Sequence, residues 1–214
     1  MAKGKASGAA EKTRPMPPDS LFELPGMCFT PANDVRQWAH DTFLKEGAPL
    51  RNEDHAHLQD ADFHFLWASQ GFAKAGRTVL GQCEEVTFRA GPWQKGRQEQ
   101  QMIEWFGFVP AYLITLDAEY CKTCSDAEFC ALVEHEMYHI GQARDEFGAP
   151  VFVKSTGLPK LAIRGHDVEE FVGVVRRYGA GVDVQRMVDA ANAAPEVAKI
   201  NIARACGTCL LKVA

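Results

Sequence analysis

The chain has 214 residues, 46% hydrophobic and 24% charged, a composition that fits one folded domain with tails and excludes a fibre or a disordered polymer. Its net charge of −5, with no long basic stripe, argues against nucleic acid as the main partner. The longest apolar run, 108–116, contains Pro110 and falls short of the roughly 20 residues that span a bilayer.

No membrane partner is therefore expected. The first twenty residues also lack an apolar leader, so the expected location is a reducing cytoplasm, with the seven cysteines as thiols or metal ligands. Residues 1–20, rich in Lys, Gly, Ala, Ser and Pro, read as a disordered basic arm. Pro31 at a first helical position, followed by Val35, Trp38, Ala39, Phe43 and Leu44, predicts an amphipathic helix over 31–45 that Gly47 and Pro49 end. Two runs with strand bias, 63–68 and 78–86, follow in an order that predicts an antiparallel pair. A helix over 93–106 is expected to bury Trp93, Met102, Ile103, Trp105 and Phe106, and a strand over 112–117 comes next.

Ser125 with Glu128 three residues on is a capping box, and it predicts a helix over 125–143. Residues 151–153 and 161–163 fit a short hairpin across Gly157 and Pro159. A helix from His166 to Tyr178 is expected to bury Val168, Phe171, Val172 and Val175. Residues 182–205 read as two Ala-rich helical pieces broken at Pro195. The organisation expected is an arm over 1–20, an α+β domain over 21–181 with a small, mostly antiparallel sheet, and a helical, cysteine-bearing tail over 182–214.

One string carries chemistry. His135-Glu136-Met137-Tyr138-His139 is an H-E-x-x-H pattern inside a segment already helical on capping and periodicity. Residues four apart share a helix face, so His135 and His139 can present two imidazole nitrogens to one zinc ion. Phe129, Val133, Met137 and Ile140 form a different stripe, which leaves one side for the core and one for a cleft. Glu136 adjoins a ligand but is angled off the metal axis, where a carboxylate accepts a proton from water at the ion. Peptide bonds are the expected target class.

A catalytic zinc needs a third protein ligand and an open fourth position. His166 is the choice: it is the only histidine after the motif, and Gly165 lets the backbone approach closely. Glu169 and Glu170 are the alternatives, as ligand or as hydrogen-bond acceptor for a ligating imidazole.

The stretches Cys130–His139 and Gly165–Gly173 resemble the phage metallopeptidase family, known from phages and prophages of bacteria. So do His55-Ala56-His57-Leu58, Ala61-Asp62, Phe65-Leu66-Trp67, Glu104-Trp105-Phe106-Gly107 and Leu113-Ile114-Thr115, so the resemblance covers roughly residues 25 to 180. More widely, Gly165-His166 with Phe171 is similar to the third-ligand pattern of SprT-like and Spartan-type zincins. The resemblance implies a zincin-like domain, zinc on His135, His139 and His166, base catalysis by Glu136, and a peptide or protein substrate.

Two C-x-x-C pairs, Cys121/Cys124 and Cys206/Cys209, can hold a second, structural zinc or stand as buried or idle thiols. His55 and His57 read as part of a solvated charged loop, with a metal site as the lesser alternative. Tyr138, Tyr178, Arg164, Arg176 and Arg177 are the candidates for stabilising an oxyanion. The 112–117 strand is the candidate edge for aligning a peptide. Zinc-dependent peptide hydrolysis is thus the expected function. Its competitors are a zinc amidase acting on a cell-wall or other non-protein amide, and a non-catalytic binding protein stabilised by zinc. Oligomeric state is not legible.

Overall fold

The computed structural model describes residues 13–74, 76–198 and 201–202. A four-stranded sheet is built from β1 (Phe29–Pro31), β2 (Phe63–Ala68), β5 (Gly81–Glu85) and β6 (Tyr112–Asp117), in the order β1-β2-β6-β5. β1 with β2 and β5 with β6 are antiparallel, and β2 with β6 is parallel. Between β2 and β5, β3 (Phe72–Lys74) and β4 (Arg77–Val79) form a separate hairpin.

Side-chain alternation assigns the faces. Phe63, Phe65 and Trp67 of β2 and Tyr112, Ile114 and Leu116 of β6 enter the main core. There they meet α1 (Asn33–Ala39), α3 (Ala118–Thr123) and α4 (Asp126–Tyr138). Leu66 and Leu113 point the other way, to Met102 of α2 (Pro92–Phe106). Fully burying a side chain such as Phe65 or Leu116 contributes about 1.5–3 kcal/mol, so the two central strands with their helices hold most of the stability. No helix among the described residues is long and apolar enough to cross a membrane.

The architecture is α+β with small, mostly antiparallel sheets, as expected. The expected pairing of 63–68 with 78–86 does not occur, because β6 lies between them. β2 is apolar on both faces and needs neighbours on both sides, whereas β5, with Gln82, Glu84 and Glu85 exposed, suits an edge. The 78–86 run itself divides at Leu80 into β4 and β5. Pro31 closes β1 rather than opening the first helix, which starts at Asn33 and ends in a single π-helical turn, His40–Leu44. In α2, Met102 is buried but Trp93 is 87% exposed and Ile103 51%, because only one turn faces the sheet.

α4 stops at Tyr138, and 140–142, expected as helix, is a strand, β7 (Ile140–Gln142). It pairs with β8 (Leu161–Ile163), so the expected pairing of 151–153 with 161–163 is replaced: 151–153 meets 158–160 instead, through a Phe152–Pro159 bridge, a Val153 N–H bond to the Leu158 carbonyl and a Lys160 N–H bond to the Val151 carbonyl. α5 (Val172–Tyr178) begins later than expected, and Phe171 and Val172 are exposed because no core faces them. α6 (Val182–Asn192) matches the first tail piece. Within the expected arm, Arg14 is buried. Its Nε lies 3.1 Å from Asp126, its Nη2 donates to the Cys124 carbonyl at 2.7 Å, and its guanidinium lies over Phe129.

Candidate metal centre

α4 starts where its cap dictates. The Ser125 hydroxyl accepts from the Glu128 N–H at 3.3 Å, and the Glu128 carboxylate accepts from the Ser125 N–H at 2.8 Å. Phe129, Cys130, Val133 and Met137 are buried in the core, which turns His135 and Tyr138 outward. His139 is the residue after the helix, but at φ −69 and ψ −15 it keeps helical geometry and stays one turn above His135.

The third imidazole arrives on a strand-borne loop. β8 returns antiparallel to β7, and the Arg164 N–H donates to the His139 carbonyl at 2.8 Å. In return, His139 Nδ1 donates to the Arg164 carbonyl at 2.7 Å. Gly141 permits this closure, since a Cβ there would lie 3.3 Å from Arg164 Cβ. Two residues beyond this clasp, His166 Nε2 comes to 3.2 Å from His135 Nε2. The ring centroids of the three histidines are 5.1, 5.1 and 4.8 Å apart. Their ligand atoms lie within 4.8 Å of one another, and no other group of three or more potential ligands occurs among the described residues.

This arrangement fits a metal. Two nitrogens bound at ~2.0–2.1 Å to a tetrahedral ion lie about 3.3 Å apart, close to the 3.2 Å separation of His135 and His166. The Nδ1 bond of His139 leaves its Nε2 as the ring nitrogen free to face an ion. The partial burial of its ring first, and then the neighbouring His139 and His166, hold the His135 pKa below its ordinary value, which favours the neutral, metal-binding form. His135 and His166 are exposed, so the cluster opens on a cleft of about 350 Å³.

Glu136, next to His135 in the chain, is only 3% exposed and feels the charge of His139. It is packed against β5, where a Cβ on Gly81 would lie 2.5 Å from its Oε1, and the Cys83 backbone N–H bonds to it. Burial pushes its carboxyl up to about 7, against the lesser opposing effects of His139 and the Cys83 bond. A carboxyl poised there both takes and returns a proton near neutrality.

Glu169 and Glu170 lie in the irregular stretch before α5 and outside the cluster. Glu170 accepts from the Phe171 N–H at 2.7 Å, and the acceptor for an imidazole of the cluster, that of His139, is the Arg164 carbonyl instead. His55, expected in a solvated loop, is fully buried, 3.5 Å from Glu134 and with its ring 4.4 Å from that of Tyr138. His57 Nε2 bonds the Ile140 carbonyl at 2.6 Å. With Asn52 donating to Glu134 and to Tyr138, this segment braces the last turns of α4. The Tyr138 hydroxyl donates to Asp54 at 3.0 Å, and Arg164 pairs with Asp167. Cys121 and Cys124 are buried, and Cys124 Sγ accepts from Arg14; Cys206 and Cys209 lie outside the described residues. The 112–117 strand is interior, so the sheet edge beside the site is β5. Gly81 has no sequence expectation attached to it, although an isolated glycine in a strand run signals close backbone approach; Cys83, expected as a small core residue, meets Glu136 through its backbone N–H.

A protein-family model described as putative phage metallopeptidase matches residues 36–192. No curated protein and no solved structure matches the chain.

Proposed function

The chain belongs to the phage metallopeptidase family, and from that premise we propose that it is a zinc-dependent peptidase with His135, His139 and His166 as metal ligands and Glu136 as general base. The observation that carries this reading is the convergence of the three imidazoles beside one buried carboxylate whose pKa is raised to about 7. Zinc in a site of three imidazoles supplies a Lewis acid that polarises a carbonyl and lowers the pKa of water toward ~7.

The chain's own residues do the rest. Glu136, held by Cys83 and fitted against Gly81, accepts a proton from the attacking water and passes it to the departing amine. Arg164 orients His139 through its carbonyl. β5 pairs only with β6 among the described strands, and its other edge, beside Glu136, suits an extended peptide. That edge favours a peptide over a compact amide. The exposure of His135 and His166 favours an open site over a purely structural ion. A cytoplasmic setting belongs to the same proposal.

Glu136→Gln should keep zinc at parental stoichiometry and lose at least about 100-fold in turnover, whereas His166→Ala should lose most of the metal. Metal analysis with cleavage of a casein or peptide mixture reads both. Parental cleavage by Glu136→Gln would refute the mechanism.

A further inference from the structure

The stretch beyond the third histidine is rich in apolar side chains that no core among the described residues receives. Phe171 is 81% exposed, Tyr178 75% and Val182 71%, and neither α5 nor α6 buries a residue. On α6 the apolar positions are ordered: Val184, Met187, Val188 and Ala191 recur at three- and four-residue spacing and form one stripe. Met187, in the middle of that stripe, lines the same cleft of about 350 Å³ as the three histidines, together with Val168 from the loop after His166. Being half exposed, it borders open space rather than filling a core.

We propose that Met187 is a specificity-determining residue, forming with Val168 an apolar subsite that takes a bulky aliphatic or aromatic side chain of the substrate next to the bond cleaved. The inference rests on the peptidase reading. A thioether is polarisable and adapts to both side-chain shapes, and a charged group giving up water against Met187 and Val168 gains no hydrogen bond from either; the polar lining of the cleft besides the histidines is Tyr138, Arg164 and Asp167. Because this wall and the histidines share one cleft, the residue selected flanks the reacting carbonyl.

Two measurements on the full chain test it. The zinc-loaded Glu136→Gln protein is titrated with two fluorescent decapeptides that differ only in a central Leu-Leu or Asp-Asp. Binding should favour Leu-Leu by about 10-fold or more. Adding Met187→Asp should abolish the preference at unchanged zinc content, and Met187→Leu should retain it. Separately, the parent is given a degenerate peptide mixture and its cleavage sites are mapped by mass spectrometry. Leu, Met or Phe should be enriched at one position flanking the cut, and Met187→Asp should remove the enrichment. Equal binding of the two peptides, or a preference that survives Met187→Asp, overturns the subsite. Cleavage without enrichment refutes the subsite and leaves the peptidase reading intact; a Met187-dependent binding preference without any cleavage does the reverse.

Discussion

Glu136 shows how a buried carboxyl opposes stability. Its folded pKa of about 7 lies above the ordinary 4.5, so the metal-free folded state holds this proton more tightly than the unfolded chain does. Its contribution to stability is therefore full below about pH 4.5 and is lost as pH rises through about 7. Glu136→Gln removes that loss. In chelator, the variant should gain on the order of 2 kcal/mol over the parent between pH 5 and 8, as urea unfolding at each pH would measure; a constant difference would contradict it. Gly81 is the companion residue. An alanine Cβ would collide with the carboxylate and also with its Cγ at 2.8 Å, so Glu136 must leave its place. Gly81→Ala should cost about 1–3 kcal/mol and roughly 100-fold in activity while zinc binding persists, which metal analysis beside an activity assay would establish. The placing of His135 and His139 on one helix face is legible in the sequence because a helix makes their geometry local; the approach of Gly81 to Glu136 is not, because its partner lies far along the chain.

The elements differ in how far neighbouring residues determine them. α4 begins at the residue its capping box predicts, since both partners lie within one turn. It ends earlier than periodicity suggests because Ile140 and Gly141 find a strand partner in Ile163 and Ala162, a contact no local pattern encodes. The same limit explains β2, whose central neighbour lies beyond a hairpin, an edge strand and a helix. It also explains the stretch after His166, where a valine-rich run meets no core. Arg14 adds a contact that composition concealed, fastening the chain's start to the first turn of α4 through Asp126 and the Cys124 carbonyl. Breaking a buried pair of this kind costs roughly 3 kcal/mol. Arg14→Ala should therefore lower the urea midpoint clearly, and Arg14→Lys should recover only part of the loss, because a single ammonium cannot replace the planar fork.

Across the whole molecule, the main core and the histidine cluster are built from different surfaces of the same elements. The core rests on β2, β6, α1 and the inner stripe of α4, whereas His135 and His166 are exposed. Metal removal should leave a cooperatively folded protein. Free zinc at about 100 times its Kd should add ~2.7 kcal/mol over the chelated state, read by thermal unfolding with near-ultraviolet circular dichroism. Loss of the cooperative transition in chelator would mean that the ion helps to hold the core.

The clasp between His139 and Arg164 brings a distant stretch of chain back to the end of α4, with an excursion from Ala143 to Lys160 between its arms. An ion on His135, His139 and His166 would act as a reversible cross-link around that excursion, much as a disulfide closes a loop in the denatured ensemble. Closure entropy changes by only ~0.6 kcal/mol for each halving of loop length, so the excursion can vary widely in length with little penalty to metal affinity, provided the two anchoring residues stay in register.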